Sequence, residues 1–153
     1  MVCVGSNRRP WHPLVVYFPL ALLGMSFVFD VLSLRLGPAM VEAARYNVTA
    51  GLVAAAICAL AGIRDYFVIL PRKSAMRGLA RYHGALNLLA TALFAVGLMH
   101  RWRLRGALVT PPWPFVLSAL GVVVLGVAGY LGGVIVLNAG IDLDSRRPPD
   151  ATS

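Results

Sequence analysis

The sequence predicts an all-α fold: a four-helix transmembrane bundle, up-down-up-down, with antiparallel neighbours. Two observations carry that prediction. Of 153 residues, 59% are hydrophobic and 13% charged, and the mean hydropathy is +0.76. Soluble domains carry roughly a quarter charged residues, about twice this share. The apolar residues also come in blocks rather than at amphipathic spacing. Four blocks are long enough to cross about 30 Å of hydrocarbon at about 1.5 Å per helical residue. Water is absent from the bilayer core, so each backbone must satisfy itself, and that makes each block a helix.

The first span covers about Pro13 to Leu34. Arg8 and Arg9 ahead of it look like the start of a signal peptide. The run exceeds an h-region of about 7 to 15 residues and no small-residue cleavage site closes it, so it reads as a retained span. Pro13 is a favoured first helical residue, and Trp11 beside it suits the aromatic belt. Pro19 leaves the carbonyl of Val15 without its usual donor, which Tyr17, Tyr82 or His83 could replace.

The second span, about Tyr46 to Leu70, carries two small-residue ladders: Gly51, Ala55 and Ala59, and Cys58 with Gly62. The third, about Leu79 to His100, ends in "HRWRLR", where His100 and Trp102 read as interfacial anchors. The fourth, about Pro114 to Asn138, holds Gly129 and Gly133 in a GxxxG beside Gly126 and Gly132. In lipid such stripes serve close van der Waals packing, within the chain or against other membrane subunits. The short links make residues 1–153 one membrane domain in which the first and third helices stand diagonally. The two cysteines, Cys3 and Cys58, form no metal or disulfide pattern.

Even spans put both termini on one side. That side holds Arg8, Arg9, Arg64, Arg72, Lys73, Arg77, Arg81, Arg146 and Arg147, against Arg35, Arg45, Arg101, Arg103 and Arg105 opposite. The positive-inside rule therefore predicts cytoplasmic termini. The net charge of +8 suits anionic lipid headgroups. No nucleic acid is expected as a partner, because the basic residues are spread over both faces.

Few polar residues lie inside the spans, chiefly Asn87, Thr91, Ser118, Tyr130 and Cys58. A transporter needs a chain of ionisable groups across the midplane, so a transport path ranks last. Asp30, near the outer end of the first helix, is expected to pair with Arg35 or the outer-loop arginines. Asp65 is expected in an ion pair near the inner end of the second helix. Both would then escape most of the burial cost at the headgroups. No nucleophile–base pair or phosphate-cradling loop appears, so the chain is not read as an enzyme.

His12 and His83 fall at matching depth on diagonal helices. Two such imidazoles can ligate one haem iron between them, with Asp65 and Asn87 as acceptors that orient His83. A plainer reading makes His12 a helix-start residue and both histidines interfacial hydrogen-bonding groups.

"HPLVVYFPLALL" with Asp30, "GIRDYF", "HGALN" and "GYLGGVIVLNAG" together resemble the domain of unknown function 2231, small bacterial membrane proteins with four helices. The resemblance spans about residues 11 to 140. It implies haem and electron transfer, because histidines recur in the helices and some relatives are joined to Rieske or cytochrome c-type domains. His12 and His83 match the histidines that open the first and third helices. Two others are missing: Tyr17-Phe18-Pro19 stands where the family reads HFP, and Ala139-Gly140 where it reads histidine-glycine. On this resemblance the chain is expected to be an electron-transfer subunit carrying at most one b-type haem, on His12 and His83. The alternative is a structural subunit of a larger membrane assembly without cofactor.

Overall fold

Proline shapes the first span. Pro19 has no N–H for the carbonyl of Val15, and its ring crowds that carbonyl. The computed structural model describes residues 11–70, 76–104 and 106–145, with side chains through Asn138. In it the first span is two pieces, α1 (His12–Val15) and α2 (Tyr17–Leu36), which meet at Val16. Backbone bonds carry the chain across the joint, from Val16 N–H to His12 O (3.1 Å) and from Leu20 N–H to Val16 O (3.3 Å). Tyr17 and Tyr82 are 71% and 72% exposed, and His83 donates to another helix. None of the three residues expected to serve the Val15 carbonyl does so.

Gly37, at φ +77°, turns the chain in a conformation that favours glycine, and Pro38 opens α3 (Pro38–Val68). The helix thus begins well ahead of the apolar run at Tyr46. After the link come α4 (Met76–Arg103) and α5 (Pro112–Ser145). α4 also outruns its apolar stretch and takes Arg101 into the helix. Among the described residues, four helical stretches are long and apolar enough to cross a membrane. Cys3, Arg8, Arg9, Arg72, Lys73, Arg105, Arg146 and Arg147 lie outside the described residues, as do the side chains of Ala139 and Gly140.

The helices pack as two hairpins, α2 on α3 and α4 on α5, closed by α3 against α4 and α2 against α5. α2 and α4 stand on the diagonal. Leu23, Val48, Ala90, Phe94 and Leu125 form the buried apolar centre. Lipid gives no hydrophobic drive for helices to associate, so close packing does that work, and glycine permits it. A Cβ on Gly51 would come within 2.6 Å of the Leu23 side chain, and one on Gly121 within 2.6 Å of the Phe94 ring. The small-residue stripes divide here. Gly51, Gly62, Gly121 and Gly132 receive side chains of this chain, whereas Gly126, Gly129 and Gly133 have nothing within 4 Å of an added Cβ.

Candidate functional site

Polar side chains gather at the two ends of the bundle, about 27 Å apart by the 18 residues that separate His12 from Asp30. At the terminal end, α1 starts under a carboxylate from another helix. Asp65 Oδ2 accepts the backbone N–H of Trp11 (2.7 Å) and of His12 (2.9 Å), and its Oδ1 accepts Arg64 Nη1 (2.8 Å). The Arg64 guanidinium lies 4.4 Å over the Trp11 ring. Asp65 so satisfies donors that a helix start leaves free. It was expected to orient His83; it anchors the backbone at His12 instead, because the ring of His83 is turned toward α5.

Each histidine is pinned to the next helix of its hairpin. His12 Nδ1–H donates to the Cys58 carbonyl at 3.2 Å, with Cys58 Sγ at 3.3 Å. His83 Nδ1–H donates to the Ala128 carbonyl at 2.8 Å. A carbonyl can only accept, which places the proton on Nδ1 in both rings. Asn87 Nδ2 gives one hydrogen to the His83 carbonyl (2.8 Å) and the other to His83 Nε2 (3.2 Å). That leaves His83 neutral, with its lone pair on Nε2. Both rings sit on glycine: a Cβ on Gly62 would meet His12 at 3.1 Å, and one on Gly132 would meet His83 at 2.9 Å. The two rings touch across the diagonal, centroids 5.7 Å apart and planes at 89°. The fold brings His12, His83 and Asn87 together, with Asp65 acting through the backbone.

The other end holds a cluster that sequence reasoning placed differently. Asp30 does pair with an arginine from the expected group, Arg101, but inside the bundle: the residues are 0% and 4% exposed. Arg101 Nη1 and Nη2 reach Asp30 Oδ1 and Oδ2 at 2.7 and 2.6 Å, a bidentate pair. Thr110 Oγ1 donates to Oδ1 at 2.9 Å, and Ser118 Oγ lies 2.5 Å from Oδ2. Ser33 accepts the Thr110 N–H at 3.0 Å and donates to the Asp30 carbonyl at 2.7 Å. The missed signal was the spacing Ala90, Phe94, Gly97, Arg101, which carries one inward helix face past the end of the apolar run. Between the two clusters stands the apolar layer of Leu23, Val48, Ala90, Phe94 and Leu125.

A family model described as predicted membrane protein (DUF2231) matches residues 8–145. The chain belongs to this family. No curated protein and no solved structure matches it. Both polar clusters lie inside the DUF2231 region.

The haem expected from the DUF2231 resemblance can be tested on these atoms. The two rings come together from diagonal helices, centroids 5.7 Å apart. Each Nδ1–H is given to a backbone carbonyl, the outer hydrogen bond that orients a ligating histidine. The donor set fits. The Asn87 amide holds Nε2 of His83 and must release it to a metal. A shallow apolar groove of about 410 Å³ runs between α1 and the end of α3, lined by Leu14, Val15, Ile57, Leu60 and Ala61 among others. Neither histidine lines it, so it is separate from the pair.

Proposed function

We propose that this protein is a small subunit of the bacterial plasma membrane, with cytoplasmic termini, that serves electron transfer. His12 and His83 would hold one b-type haem between the first and third spans. When bound, the haem supplies reversible one-electron chemistry. The protein's part is to present two imidazoles, orient them through the Cys58 and Ala128 carbonyls, and anchor His12 through Asp65. The observation that carries this reading is the meeting of two histidines far apart in sequence, each oriented by a backbone carbonyl. An ionisable side chain inside a membrane span is costly to keep, which makes it a candidate for function.

A reduced-minus-oxidised absorption spectrum of the detergent-purified chain, grown with ample haem, tests it. A b-type difference spectrum that disappears in both His12→Ala and His83→Ala is expected. A folded preparation without that spectrum overturns the reading.

A second reading, assembly with other membrane subunits, is favoured by the open helix face of α5. Gly129 and Gly133 have clear space above them, and Tyr130 and Leu137 on the same helix are 73% and 68% exposed. Small residues with no internal neighbour suit the close approach of a second helix. Gly129→Leu with Gly133→Leu then abolishes co-purification with the partner, while the chain itself stays folded and monodisperse.

A further inference from the structure

We propose that the chain is an internal duplication, two copies of one helical hairpin related by a pseudo-twofold axis along the bundle, and that both polar clusters are equivalent positions meeting on that axis. The correspondence keeps one offset within each pair of helices. Four of the five buried residues of α2, Pro19, Leu23, Ser26 and Asp30, are matched 71 positions later in α4 by its four buried residues, Ala90, Phe94, Gly97 and Arg101; the fifth, Ser33, falls opposite exposed Leu104 at the helix end. His12 and His83 share that offset.

In the second helices the offset is 70. Ala44, Val48, Gly51 and Cys58 of α3 are buried, and so are Pro114, Ser118, Gly121 and Ala128 of α5.

Contacts repeat as well as burial. His12 donates to Cys58 and rests on Gly62; His83 donates to Ala128 and rests on Gly132. Leu23 fills the gap over Gly51, and Phe94 fills the gap over Gly121, at the same 2.6 Å from a notional Cβ. Each hairpin is thus one histidine seated on a glycine and one large apolar residue seated on another. Two parallel repeats about an axis along the membrane normal are a known route to membrane folds.

Across such an axis, position n of one hairpin faces its own equivalent in the other. His12 meets His83, and Asp30 meets Arg101, both across the diagonal. The histidine end has kept identical residues, so any bound group receives the same ligand in the same setting from each half. The Asp30 end has diverged to opposite charges. That choice makes the pairing heterotypic: two first hairpins would bury two carboxylates together, and two second hairpins two guanidinium groups.

Exchange between equivalent positions is the test, on the full-length chain in detergent. Asp30→Arg alone, or Arg101→Asp alone, buries like charges and is expected to cut the folded, monodisperse fraction at least about tenfold. The double exchange restores a complementary pair and is expected to recover to within about twofold of the parent, by the same logic. Ser118 and Thr110 serve Asp30 in particular, so a second exchange avoids them. Leu23→Phe with Phe94→Leu is expected to melt above either single change, because each ring or branch finds a glycine beneath it. Recovery of the Leu23–Phe94 exchange supports the duplication, because each side chain then sits on the other hairpin's glycine; recovery of the charge exchange alone overturns it, because any contacting ion pair would recover. If neither double variant exceeds its own singles, the halves are not equivalent and the proposal fails.

Discussion

The two ends of the bundle solve the same problem, polar groups inside a membrane protein, in opposite ways. At the terminal end two half-buried imidazoles satisfy themselves locally, each through a carbonyl of its own hairpin. Their contact with one another adds little that either needs. At the other end Asp30 and Arg101 are charged, fully buried and dependent on each other across the bundle. Removing one partner there strands a charge in a low-dielectric interior. The contacts differ in kind: the Asp30–Arg101 pair ties one hairpin to the other, whereas each histidine is bonded within its own hairpin. A site that must accept a ligand belongs where the resident contacts are cheap to give up.

The sharpest way to break this comparison is to remove a partner at each end. Arg101→Leu leaves the Asp30 carboxylate with only the Thr110 and Ser118 hydroxyls. It should cost about 3–5 kcal/mol, enough to unfold much of the protein. Denaturant unfolding in detergent, followed by circular dichroism, measures it. A loss below about 1 kcal/mol would mean the pair is not the lock. Arg101→Lys keeps the charge and loses the two-pronged geometry, and should fall between.

The glycines give the next largest effect and test whether both hairpins are packed alike. Gly121→Ala drives a methyl into the Phe94 ring, a rigid neighbour, and should cost about 1–3 kcal/mol. Gly126→Ala, on the open face of the same helix, should leave the melting temperature unchanged or raised. Equal effects at 121 and 126 would remove the distinction between inward and outward glycines on α5.

His83→Ala should cost less, about 1 kcal/mol, because it deletes a satisfied hydrogen bond without stranding a charge. The Ala128 carbonyl loses its side-chain donor, and Asn87 keeps its bond to the His83 backbone carbonyl. Thermal melting of the ligand-free protein measures this, and a cost rivalling that of Arg101→Leu would show that the histidines are structural. The same variant read by absorption reports on ligation, so stability and function separate.

These differences trace back to what a linear sequence can display. Four apolar blocks announce four helices, and a shared depth announces that His12 and His83 can meet. Basic "HRWRLR" hid Arg101, because arginines after an apolar run read as loop or headgroup contacts while helix periodicity continued beneath them. Asp65 was placed at the right depth but given to the wrong histidine. Depth follows from chain position, whereas the direction of a side chain around the axis follows from packing. Gly62 and Gly132 read as helix–helix contact surfaces; which residue fills a glycine's gap is a tertiary fact. The repeat was masked for the same reason, since it survives in which positions are buried more than in residue identity.

Asp65 offers the smallest effect and the finest discrimination. Its Oδ2 takes two backbone N–H groups at the start of α1, and its Oδ1 takes Arg64. Asp65→Asn keeps one acceptor oxygen for those amides and removes the charge, so stability should fall by about 0.5–1 kcal/mol, the range of a weakened helix cap. If Asp65 positions His12, the change shows elsewhere: hydrogen exchange at the Trp11 and His12 amides should quicken while the His83 amide stays as it was. Equal quickening at both histidines would mean that Asp65 steadies the whole end of the bundle. Confinement to His12 would show that each imidazole has its own support, His12 through a carboxylate on its backbone and His83 through an amide on its ring. The terminal end would then be symmetric in its ligands and asymmetric in what holds them.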